Sequence, residues 1–142
     1  MMRYAYAARP TRGAKEAMLR FRDLPQIDVR GRGPGEAMVK AKAALEAALW
    51  AMVKQGKSPP RPSAPKRGDV MIAVTPSVAA KLAFVTAFKH SDINQSELGR
   101  RLALNHREVQ RMLDPTRKTK IDRLNAALNL LGRRIVIAVE DS

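Results

Sequence analysis

Residues 95–113 read QSELGRRLALNHREVQRML, two short amphipathic stretches separated by a tight break. Leu98 and Leu102 recur at helical spacing in the first stretch, and Val109, Met112 and Leu113 do so in the second. Asn94 with Glu97 and Asn105 with Glu108 place a capping side chain three residues before an acid, which marks the start of each helix. Gly99 is the small residue that lets the second helix approach the first, and Leu104 falls inside the turn. Ala103 stands where such a turn often carries glycine. This spacing predicts a helix-turn-helix. Its second helix presents His106, Arg107, Gln110 and Arg111, side chains that can donate to purine edges and phosphates in a major groove. Gln95 and Ser96 open the first helix, where an amide, a hydroxyl and backbone donors suit a phosphate, and Arg117, Lys118 and Lys120 extend that contact. The competing reading of the same residues is a helical hairpin whose arginines form a solvated face.

Composition agrees with a polyanionic partner. Lys plus Arg number 27 against 13 Asp plus Glu, a net charge of +14 over 142 residues. A hydrophobic fraction of 45% with 4% aromatics is enough for an aliphatic, alanine-rich core, which argues against a disordered basic tail. The absence of cysteine excludes disulfides, thiolate metal sites and a cysteine nucleophile. There is no apolar run of signal-peptide or membrane-span length, so a soluble, cytoplasmic chain is expected.

Residues 58–68, SPPRPSAPKRG, hold four prolines and three basic residues, and predict a semi-rigid linker between two domains. Residues 1–57 carry 12 basic and 5 acidic side chains (net +7), and residues 69–142 carry 12 and 8 (net +4), so charge alone does not choose between the halves. In residues 1–57, the runs 3–7 and 17–21 suit strands around a turn at Gly13, and a third strand fits before the glycine turn at 31–35. A helix is expected from Glu36 to Lys54, with Met38, Ala41, Leu45, Ala48 and Met52 on its apolar face. In residues 69–142, a strand at 70–74 leads through Thr75 and Pro76 into a helix ending near Lys89. The last helix is expected to start at a Thr119 cap paired with Asp122. The β-branched run 135–139, IVIAV, predicts a closing strand, and the strands at 70–74 and 135–139 are expected to build a dimer. The fold class is therefore α+β.

Enzymatic readings find little support. Glu16, Asp23, Asp28, Glu36 and Glu46 are scattered, and Glu36 and Glu46 lie about three helical turns apart, too far to clamp one ion. GRGPG at 31–35 lacks the Gly-Lys-Ser/Thr ending of a phosphate loop. His90 and His106 have no carboxylate at metal-site spacing. No catalytic residue, metal or cofactor is expected.

With these residues in view, the chain resembles the HicB family of antitoxins from bacterial type II toxin–antitoxin modules. LRFRDLP at 19–25 and EAMVKAKAALEAAL at 36–49 are similar to that family's small, truncated ribonuclease-H-like domain. The segment from VTPSVAAKLAFVTAF through NQSELGRRLALNHREVQRMLDPTRKTKIDRLNAALNLLG resembles its branch with an Xre-type helix-turn-helix, the more specific of the two matches. The resemblance implies that residues 1–57 cover an mRNA-cleaving toxin of the HicA kind, while residues 69–142 bind the operator of their own operon as a dimer. A stand-alone repressor without a toxin, or a protein-binding module whose basic half serves only assembly, are the alternatives.

Overall fold

The computed structural model describes residues 1–141, which form two compact units, Met1–Thr75 and the residues from Pro76 onward. The first holds strands β1 (Ala5–Arg12), β2 (Ala17–Phe21) and β3 (Asp28–Gly31), helix α1 (Pro34–Lys54) and strand β4 (Val70–Ala73). The second holds helices α2 (Pro76–Lys89), α3 (Gln95–Leu102), α4 (His106–Leu113) and α5 (Ile121–Leu130). The α+β expectation is met by one four-stranded antiparallel sheet and five helices among the described residues.

In the first unit the sheet order is β3-β2-β1-β4. Ala8 lies opposite Phe21, Tyr6 opposite Ile72, and Leu19 opposite both Pro10 and Val29, so one face of the sheet gathers the apolar side chains. Helix α1 covers that face with Ala37, Ala41, Leu45, Leu49 and Val53, an i, i+4 stripe. The expected stripe shared only Ala41 and Leu45 with it, because 36–54 is apolar over a wide arc and the sheet selects the row that fits. Full burial of Leu45 and Leu49 contributes roughly 1.5–3 kcal/mol each. Gly31 ends β3 where a Cβ would meet the Ala37 nitrogen at 2.5 Å, so strand and helix touch through backbone.

Residues 58–68, expected as a semi-rigid linker between two domains, lie within the first unit. They return along the first unit and are tied to it: Tyr6 Oη donates to the Pro60 carbonyl at 2.8 Å, and the Ser63 amide donates to Asp23 Oδ2 at 2.8 Å. The Ser63 hydroxyl donates to the same carboxylate. At the end of the strap the Asp69 carboxylate accepts the Lys66 amide at 2.8 Å and a two-pronged contact from Arg22, with Nη2 at 2.7 Å. The strand at 70–74 was expected to flank the helical domain; instead β4 pairs with β1 in the first sheet, and the units divide at Thr75.

In the second unit, α2 packs on α5 and α3 on α4. Leu82, Phe84, Leu98, Val109, Met112, Leu124 and Leu128 fill the core between them. Two expectations fail here. Thr119 does not cap α5, whose N-cap is Lys120 without a side-chain bond, because the Thr119 hydroxyl is taken by Lys81. Residues 135–139 form no strand: among the described residues past Gly132 there is no regular element, and Val136, Ile137 and Val139 are 63%, 73% and 94% exposed. Their β propensity has no partner strand in a single chain.

Candidate functional site

The helix pair at 95–113 forms as its caps require. Asn94 Oδ1 accepts the Glu97 amide at 2.9 Å, and Asn105 Oδ1 accepts the Glu108 amide at 2.9 Å. Glu108 Oε2 reaches back to the Asn105 amide at 3.1 Å, completing a capping box that fixes where α4 starts. The turn between the helices closes when the Leu104 amide donates to the Gly99 carbonyl at 2.8 Å. Ala103 adopts φ 55 and ψ 43, the left-handed conformation that glycine accepts without cost. Leu98 and Gly99 on α3 and Val109 and Met112 on α4 are buried.

All eight side chains singled out from the sequence are exposed: Gln95, Ser96, His106, Arg107, Gln110, Arg111, Lys118 and Lys120. Three of them, Arg107, Gln110 and Arg111, line a surface cleft of about 340 Å³ together with Asp114 and Arg117. Gln95 and Ser96 begin α3, His106 begins α4, and Lys118 and Lys120 stand on the α4–α5 loop, all outside that cleft. Asp114 is the acid in an otherwise cationic cleft, and it serves the loop. Its Oδ1 accepts the Thr116 amide at 2.9 Å and the Thr116 hydroxyl at 2.7 Å, which hold its carboxyl below the usual carboxylate range. Three guanidinium groups around one amide can hold phosphate oxygens and also reach paired base edges.

The residue that the sequence reading missed is Lys81. It projects from α2 into the interior and is 4% exposed. Its ammonium donates to the Arg111 carbonyl at 3.0 Å, to Thr119 Oγ1 at 3.2 Å and to the Arg117 carbonyl. Burial pushes its pKa down, and Asp114 opposes that shift. The signal was present: one lysine interrupts the apolar run of α2 between Ala80 and Leu82, where helical spacing calls for a core residue.

The five carboxylates of residues 1–57 each have a partner in the first unit. Glu16 pairs with Arg30 at 3.5 Å, Asp28 with Arg20 at 3.5 Å, and Glu36 with Arg32 at 2.9 Å and Lys40 at 3.1 Å. Asp23 holds Ser63, and Glu46 accepts the Thr75 hydroxyl at 3.1 Å. Among the described residues, no three His, Cys, Asp or Glu side chains are grouped to hold a metal ion, and no helix is long and apolar enough to cross a membrane.

Comparison with known proteins bears on the whole chain. Residues 4–83 match the family described as HicB_like antitoxin of bacterial toxin-antitoxin system. Antitoxin HicB of Escherichia coli (strain K12) is 34% identical over 122 residues, covering 86% of this chain and 88% of that protein. Antitoxin HicB 2 of Photorhabdus laumondii is 30% identical over 115 residues, 81% of each chain. Antitoxin HicB of Pseudomonas fluorescens (strain Pf0-1) is 30% identical over 119 residues, 83% of this chain and 82% of that one. The aligned lengths run past the first unit into the helices, so the likeness is not confined to the sheet. With a family match over residues 4–83 and relatives aligned along most of their length, the chain belongs to the HicB-like family of antitoxins of bacterial toxin–antitoxin systems.

Proposed function

We propose that this antitoxin masks an mRNA-cleaving toxin of the HicA kind with its first unit and represses its own operon by sequence-specific DNA binding with α3 and α4. The observation that carries the DNA half is the capped α4, which turns Arg107, Gln110 and Arg111 outward into one cationic cleft beside Arg117. In this reading His106, Arg107, Gln110 and Arg111 address base edges, and Gln95, Ser96, Lys118 and Lys120 hold the phosphate backbone. The relatives named antitoxin support the toxin-masking half. The division expected from the sequence, toxin contact in residues 1–57 and DNA contact and dimerisation in 69–142, is kept in this reading with its boundary moved to Thr75. The structural refinement is that 58–75 travel with the first unit.

A homodimer completes the reading. Val136, Ile137 and Val139 form an exposed apolar run, which a second copy of the chain would cover. Two recognition helices related by a two-fold axis then read an inverted repeat with half-sites about 34 Å apart, or a multiple of it.

The test is co-expression with the neighbouring reading frame, followed by pulldown and a duplex-binding titration. A stoichiometric small partner with suppressed mRNA cleavage, together with tighter binding to the upstream duplex than to random DNA, is expected. Equal affinity for both duplexes would remove the repressor half, and the absence of a partner would remove the masking half.

A further inference from the structure

Lys81 stands out because its cost is plain and its return is not a matter of packing. An ammonium taken from water into a helical core requires nearly full compensation, and an apolar side chain of similar length would fill the same space without it. Three acceptors satisfy Lys81, one at the end of α4 and two on the loop after it: the carbonyl of Arg111 in the last turn of α4, the carbonyl of Arg117, and the hydroxyl of Thr119. The ammonium therefore joins the negative end of the α4 dipole to the loop that follows. That loop itself carries Asp114, whose charge favours the Lys81 ammonium, and the cations Arg117, Lys118 and Lys120. A buried positive charge under a cationic loop opposes folding of the free protein and favours the approach of a polyanion.

We infer that Lys81 is a positioning residue for nucleic acid: by gathering the Arg111 and Arg117 carbonyls and the Thr119 hydroxyl on one buried ammonium, it fixes the α4–α5 loop so that Arg117, Lys118 and Lys120 meet the phosphate backbone while α4 lies in the groove. This rests on the DNA-binding reading of α3 and α4. Lys81 itself touches no DNA. Its removal frees the loop, so the loss falls on phosphate contacts and spares base discrimination.

The experiment compares wild type, Lys81→Met, Thr119→Val and Gln110→Ala as full chains, titrating a labelled random-sequence duplex and the upstream duplex over a range of salt. Far-UV circular dichroism checks the fold, and hydrogen exchange follows residues 114–120. For a folded Lys81→Met the expected result is a loss of about tenfold on both duplexes, with a shallower salt dependence and an unchanged ratio between them. Exchange in 114–120 rises while the α3 and α4 amides stay protected. Thr119→Val removes one acceptor and should show the same pattern at about threefold, which keeps the test available if Lys81→Met does not fold. Wild-type affinity and salt slope in either folded variant, with Gln110→Ala still losing discrimination, overturns the inference and leaves the DNA reading standing. A wild-type chain that binds neither duplex fails the DNA reading itself, and this inference falls with it.

Discussion

Gly99 and Leu104 meet backbone to backbone: the Leu104 amide donates to the Gly99 carbonyl at 2.8 Å, and a Cβ on Gly99 would stand 2.9 Å from the Leu104 carbonyl oxygen and 3.2 Å from Val109 Cγ2. Neither neighbour is a flexible side-chain tip, so a methyl group here pushes the turn and α4 away from α3. Gly99→Ala gains about 1 kcal/mol of helix propensity and loses more to overpacking, a net destabilisation of about 1–2 kcal/mol. Thermal melting followed by circular dichroism checks the sign, and duplex binding should weaken with it.

Ala103 gives the opposite prediction. Its left-handed backbone brings Cβ too near the following carbonyl, at a cost of roughly 1–2 kcal/mol that glycine does not carry. Ala103→Gly should stabilise the second unit by about 1 kcal/mol and leave DNA binding unchanged, because the turn is already in the glycine conformation. The denaturant midpoint read by circular dichroism tests it, and a lowered midpoint would show that the turn relaxes when the methyl is removed.

The bond between Arg22 and Asp69 makes the first unit acid-sensitive. Hydrogen bonding from Arg22 is the largest influence holding the Asp69 carboxyl at about 2, against 3.8 for the free group. A folded-state pKa below the unfolded value stabilises fully above 3.8, and the stabilisation is lost as pH falls through about 2. Trp50 on α1 reports this unit by fluorescence. Wild type should lose stability between pH 4 and pH 2, while Asp69→Asn should be less stable at neutral pH and flatter over that range.

Substitution separates base contacts from phosphate contacts on the proposed DNA-binding surface. Arg107→Ala and Gln110→Ala should each cost about 1–3 kcal/mol on the preferred duplex and narrow its advantage over random DNA. Lys118→Ala should weaken every duplex alike and lower the slope of log affinity against log salt by about 1. Equal, sequence-independent losses in all three would reassign α4 from reading bases to holding phosphates.

Charge placed in the exposed run should separate copies of the chain. Ile137→Asp adds a carboxylate to a side chain that is already 73% exposed, so the fold of one chain should be unaffected. Light scattering should report a dimer for wild type and a smaller species for the variant, and identical masses would place self-association elsewhere.

What the sequence disclosed, and what it hid, follows the range of the interactions. The Asn105–Glu108 box, the Asn94 cap and the need for Gly99 are settled within a few residues, and each is legible in the order of the letters. Thr119 has the look of a cap, yet its hydroxyl belongs to a lysine 38 positions earlier. Proline content at 58–68 speaks for an extended chain and cannot reveal that Tyr6 and Asp23 hold it down. The run 135–139 shows how far propensity reaches: valine and isoleucine prefer a strand, and a strand still needs a neighbour. The eight polar residues singled out from the sequence are all exposed, whereas the acceptors that take up the Lys81 ammonium, on Arg111, Arg117 and Thr119, lie 30, 36 and 38 positions away and are set by the tertiary fold.

The pairing of Ala5 with Ala73 sets the first strand of the chain beside the last strand of the first unit, running in opposite directions. The polypeptide therefore enters and leaves that unit at the same end of adjacent strands, and its course from Met1 to Thr75 is nearly a closed ring. Joining those ends with a short bridge and opening the β1–β2 hairpin near Gly13 would give a circular permutant with the same sheet order. A nick within 58–68 would leave β4 in place, held by its ladder to β1 and by Arg22.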